Sequence, residues 1–131
     1  MRFVGDVYRA HDPRWSWTPL SGRGAALGGG RFNLRGQPAL YLSLTPMTAV
    51  REASAGFAHR LEPLLLCTYA VDCEDIVDLR DAAGLLAPSF ARGAAPHDHN
   101  LVLWRWGRNL PHRVDVHDPS GRMPKNQLSW D

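Results

Sequence analysis

The chain has two cysteines, a single lysine and no long apolar run, and each scarcity excludes something. Cys67 lies in an apolar stretch and reads as a small core residue, while Cys73 sits among acids. With no secretory leader in the sequence, a disulfide between them is not expected. No run approaches the ~20 apolar residues that span a bilayer, and the opening Met1-Arg2-Phe3-Val4-Gly5-Asp6 lacks a signal-peptide core. The expectation is a cytoplasmic protein without membrane contact. Lys125 is the only lysine among 15 basic residues, and net charge is only +2. The basic residues form no block, so direct nucleic-acid binding is not indicated. There is no Gly-x-Ser-x-Gly elbow of a serine hydrolase. Gly22-Arg23-Gly24 fails as a dinucleotide fingerprint, because Leu27 occupies the third glycine position and no βαβ unit surrounds it. His97-Asp98-His99 offers a pair of metal ligands but no third at matching spacing, so no metal is expected.

What is present suits one domain over residues 1–131, long enough to bury about two-thirds of its unfolded surface. Val7-Tyr8-Arg9-Ala10 reads as an opening strand, and the glycine-rich stretch from Gly22 to Gly36 as a long functional loop. Ala39-Leu40-Tyr41-Leu42-Ser43-Leu44 alternates, so the leucines face the core and Tyr41 points to the less apolar side. Thr45-Pro46 starts a helix, threonine as cap and proline at the first helical position. Helical spacing gives it a core stripe of Met47, Val50, Ser54 and Phe57, with Glu52 among the small residues Ala49, Ala53 and Gly56. Leu64 to Val71 and Ile76 to Leu79 read as strands, and Ala87-Pro88-Ser89 as a turn. Asn100–Trp106 and His112–His117 read as a closing pair around the turn Gly107 to Pro111, with Trp104 and Trp106 packed in the core rather than stacked on bases. Trp130 is expected to pin the tail. The fold class is α+β, with about six strands and one or two helices.

Three glycines that hand over to an arginine let bare backbone approach a ligand beside a planar five-donor cation. Taken singly, Gly28 to Gly30 is a flexible loop, Arg31 a salt-bridge partner, Tyr41 a half-buried strand residue and Glu52 a solvated helix residue. Together, on consecutive short elements that must pack side by side, they suit a phosphorylated, ring-bearing substrate.

The chain resembles the RES domain family in Tyr8-Arg9, Leu20-Ser21-Gly22, Gly29-Gly30-Arg31-Phe32-Asn33, Gly36 and Leu40-Tyr41-Leu42. The resemblance continues through Ala49-Val50-Arg51-Glu52, Pro88-Ser89-Phe90 and Asn100-Leu101-Val102-Leu103. It implies an NAD-consuming toxin of a toxin–antitoxin pair. The implied fold is compact and ADP-ribosyltransferase-like, with two small packed sheets and one or two helices around an NAD cleft. By resemblance the catalytic residues are Arg31, Tyr41, Glu52 and Ser89, Ser120 and Ser129 being the other serines for that last place. NAD, as substrate, would be bound by Arg9, Ser21, Gly30, Arg31, Asn33, Tyr41 and Asn100. The implied outcome is ADP-ribose transfer to an acceptor protein, or depletion of NAD by water or phosphate. A cognate antitoxin would cover the site. A non-enzymatic nucleotide-binding module is the reading from another class.

Overall fold

In a computed structural model, residues 1–12, 18–54, 64–76, 83–89, 95 and 98–123 are described. Phe57, Val77 to Leu79, Phe90, His97, Ser129 and Trp130 lie outside them, as does the Ser54 side chain. Six strands and two helices follow in the order β1 (Phe3–His11), α1 (Arg23–Gly28), β2 (Leu40–Ser43), α2 (Pro46–Ser54), β3 (Leu65–Cys73), β4 (Gly84–Pro88), β5 (His99–Leu103) and β6 (His112–Val116). Among the described residues no helix is long and apolar enough to cross a membrane.

The strands form one antiparallel sheet, ordered β4-β5-β2-β1-β3-β6. Two separate sheets were expected, and the difference narrows to one rung. β1 and β3 pair along their length, from Phe3↔Cys73 to His11↔Leu65, whereas β1 meets β2 only at Tyr8↔Ser43. Two three-stranded halves, β4-β5-β2 and β1-β3-β6, are thus joined at a single residue pair.

Alternation explains the core. Leu40 stands opposite Leu103, and Leu42 opposite Leu101, all buried on one face. The same cluster takes in Val7, Cys67, Tyr69, Val71, Cys73 and Val114 from the other half. Both cysteines are free and buried, and burial pushes each thiol up to about 11. Tyr41 pairs with Val102 and Ser43 with Asn100 on the opposite face, as the leucine alternation predicts.

Several expectations are corrected. The glycine-rich stretch contains α1, a short helix that buries no residue and ends where Gly29 takes φ +69°, a left-handed conformation that favours glycine. Ala87-Pro88 is no turn but the end of β4. Because β4 is an edge strand, Pro88 costs no interior ladder bond. The strand lies so close to β5 that a Cβ on Gly84 would come 2.5 Å from the Val102 carbonyl oxygen. β5 and β6 do not pair; β5 lies between β4 and β2, and β6 closes the far edge on β3.

The helix α2 is capped as expected, the Thr45 hydroxyl accepting the Thr48 N–H at 3.1 Å. Its buried face, however, is Thr48 and Ala49, while Met47 is 61% and Val50 38% exposed. Small residues let the helix sit close to the sheet, and the Thr48 hydroxyl finds partners there. Packing distance outweighs the apolar character of Met47 and Val50.

Candidate functional site

Turning α2 onto its small-residue face brings Glu52 over the polar side of the sheet. Its Oε1 accepts two hydrogen bonds, one from the Ser89 hydroxyl at 2.6 Å and one from the Asn100 side-chain amide. Ser89 follows the edge strand β4, and Asn100 stands on β5 opposite Ala87 and Ser43. The Ser43 hydroxyl in turn donates to Asn100 Oδ1 at 2.8 Å. With its oxygen engaged by Ser43, the Asn100 amide presents its NH2 group to the carboxylate. Three elements thus converge on one carboxylate oxygen, and two donors on one oxygen suit an ionised carboxylate.

Two residues back along the same face of β2, about 7 Å away, Tyr41 governs the glycine loop. Its hydroxyl donates to Asn33 Oδ1 and accepts the Phe32 backbone N–H at 3.1 Å. The carbonyl of Phe32 accepts the Trp104 indole N–H at 2.8 Å. The residue after Arg31 is therefore held at both backbone groups by aromatic side chains. Gly30 passes directly beneath: a Cβ there would lie 2.7 Å from the Tyr41 hydroxyl. Arg31 itself is exposed at the turn between them.

Of the other nucleotide-binding candidates, Asn33 is only 6% exposed, and its amide donates to the carbonyls of Ala25, Leu34 and Gln37. It locks the loop from within. The Ser21 hydroxyl accepts the Arg23 N–H at 3.3 Å, at the start of α1. Arg9 pairs with Cys67, on the face opposite the one that Tyr8 shares with Ser43. The guanidinium belongs to the surroundings of His11, Cys67 and Tyr69, so the structure does not bring it to Glu52. There the Tyr69 hydroxyl donates to the Pro19 carbonyl at 3.0 Å, so its one proton is spent and His11 Nε2–H donates to Tyr69. Burial first, and the Arg9 charge second, hold His11 down at about 4, a neutral imidazole. Ser120 is exposed beyond β6.

Sequence reasoning missed Ser43, Trp104 and Asp98. Ser43 was legible in principle, since it shares the Tyr41 face. Trp104 reads as a core strand residue, but β5 ends at Leu103 and the indole turns to the loop; Trp106 does pack on the core, donating to the Leu20 carbonyl at 2.9 Å. In the sequence Asp98 stands out only as part of the His97-Asp98-His99 run, yet its buried carboxylate accepts from Thr48, Arg51 and the Ala95 N–H.

The arrangement offers a fixed anion beside a hydroxyl and an amide, and a pinned, arginine-tipped backbone loop along the same strand face. Such a pair can hold a developing positive charge at one end and a phosphate at the other. Comparison with curated proteins gives no match. The RES domain family model matches residues 6–83, which include Arg31, Tyr41 and Glu52. That match covers more than half of the chain, and the chain belongs to the RES domain family.

Proposed function

We propose that the chain cleaves the nicotinamide–ribose bond of NAD and transfers ADP-ribose to a cellular protein. In this reading it is the toxin of a toxin–antitoxin pair, with an ADP-ribosyltransferase-like fold, acting in the cytoplasm. The observation that carries the reading is Glu52, fixed through Oε1 by Ser89 and Asn100, while Oε2 takes no bond among the described residues. Leaving of nicotinamide develops oxocarbenium character at the ribose carbon, as in glycoside hydrolysis. A preorganised carboxylate stabilises that charge and orders the ribose hydroxyls. Arg31 takes the pyrophosphate as a bidentate donor at the tip of the pinned loop. The Tyr41 ring packs on the nicotinamide and holds the cleavage geometry.

The test uses NAD labelled in its adenylate half, with and without cell lysate. Label on a protein band supports transfer. Free ADP-ribose or its phosphate ester instead assigns the protein to NAD depletion, and intact NAD overturns the enzymatic reading in favour of a nucleotide-binding module. An antitoxin that covers the site should stop turnover at equimolar amounts; unabated turnover with the adjacent gene product bound would remove that partner from the scheme.

A further inference from the structure

We infer that Asp98 is a positioning residue that keeps Glu52 and Ser89 in register, a role whose kinetic test rests on the NAD reading. Asp98 is 5% exposed and separates the two elements that deliver those groups. Towards α2, its Oδ1 accepts the Thr48 hydroxyl at 3.2 Å and its Oδ2 accepts Arg51 Nη1 at 2.9 Å. Thr48 stands about one helical turn before Glu52, and Arg51 immediately before it. Towards β4, the backbone carbonyl of Asp98 accepts the Ser89 N–H at 2.8 Å. Its Oδ2 also accepts the Ala95 N–H at 2.7 Å, and its own N–H returns to the Ala95 carbonyl at 3.0 Å. The next carbonyl, that of His99, accepts the Leu44 N–H at 3.0 Å, just ahead of the helix cap.

One residue therefore grips the helix with its side chain and the serine with its backbone. The two groups it joins make the 2.6 Å contact of Ser89 with Glu52. A buried ion pair is by itself weak evidence for stability, since desolvation offsets the attraction. Its value here is geometric: a displacement on the order of 1 Å at a reacting group can cost about a hundredfold in rate. The bonds from Asp98 to Thr48, Arg51 and Ser89 act on the carboxylate end of the site, so substrate affinity should be spared.

Asp98→Asn keeps the shape and one acceptor for Thr48, but its NH2 end can accept from neither Arg51 nor the Ala95 N–H. We expect kcat to fall at least about tenfold with KM for NAD nearly unchanged. Arg51→Met should behave alike, Arg51→Lys should recover most of kcat, and the Asp98→Asn/Arg51→Met double variant should be little worse than either single one. A purely stabilising role would lower Tm and leave kcat and KM of the folded protein alone; that result overturns the inference. A readout independent of turnover is the side-chain amide signal of Asn100 in a nitrogen–proton NMR correlation spectrum. It should move in Asp98→Asn, and an unmoved signal also overturns the inference. If the native chain leaves NAD intact, the functional reading falls and this signal alone decides the role of Asp98. Should Asp98→Asn not fold, Arg51→Met carries the same measurements, because Arg51 is 37% exposed and the Asp98 carboxylate it leaves keeps the Thr48 and Ala95 donors.

Discussion

Tyr41 and Asn33 are joined hydroxyl to amide oxygen, so the ring assigned to the substrate also fastens the loop that carries Arg31. The two duties separate in a variant. Tyr41→Phe keeps the ring but frees the Phe32 N–H and Asn33 Oδ1 from their partner. Stability should drop by about 1–2 kcal/mol, and KM for NAD should rise more than kcat falls. Steady-state kinetics with a thermal melt check this; a Tyr41→Phe KM equal to the native one would deny the loop its role in binding.

The close passage of the loop under Tyr41 gives a second expectation. In Gly30→Ala the new Cβ would meet the Tyr41 hydroxyl at 2.7 Å and Asn33 Oδ1 at 2.9 Å. Neither atom is the end of a loose chain, so the Tyr41–Asn33 bond must break or the loop must lift. The cost should be about 1–3 kcal/mol, with NAD binding weakened at least tenfold. Calorimetric titration with NAD measures it, and native affinity in that variant would refute the geometry.

Glu52→Gln changes charge and little else. The amide oxygen still accepts from Ser89 and Asn100, so the melting curve should stay close to native. Turnover should fall by on the order of a hundredfold or more, as when a preorganised electrostatic group is lost. Retained activity would exclude Glu52 from the chemistry, and a collapsed fold would show that its role is structural.

A pH dependence follows from His11. Its folded value of about 4 lies below the ordinary 6.5, so between those values the unfolded chain takes up a proton that the folded chain refuses. This contribution to stability is complete above pH 6.5 and is lost as pH falls towards 4, about 3 kcal/mol over the whole window. His11→Gln keeps a donor for Tyr69 and cannot titrate in this range. Denaturant melts from pH 4 to 7 should show the native decline flattened in that variant. An unchanged slope would place the proton uptake elsewhere.

The periodic parts of the fold were legible in the sequence. The Leu40-Tyr41-Leu42 alternation gives the correct inward and outward faces, and Thr45-Pro46 marks the start of α2. What failed depended on partners far along the chain. Met47 and Val50 are apolar at helical spacing, yet the sheet accepts Thr48 and Ala49 because Asp98, fifty residues beyond Thr48, satisfies the hydroxyl. Asn100–Trp106 and His112–His117 look like a hairpin locally, but β5 inserts between β4 and β2, an outcome set by non-local pairing. In the candidate site, Arg31, Tyr41 and Glu52 stand out in type and spacing. Ser43, Trp104 and Asp98 act through contacts that no local pattern encodes.

The lone rung Tyr8↔Ser43 has a mechanical consequence. Ladder bonds resist sliding between neighbouring strands, and across this line almost none are available. Shear between the halves is opposed by side-chain packing and by α2, which lies against β1, β2 and β3. Ser43 sits on that compliant line and also begins the chain of bonds through Asn100 to Glu52. A force that slides one half past the other would therefore be felt at the carboxylate before either half unravelled.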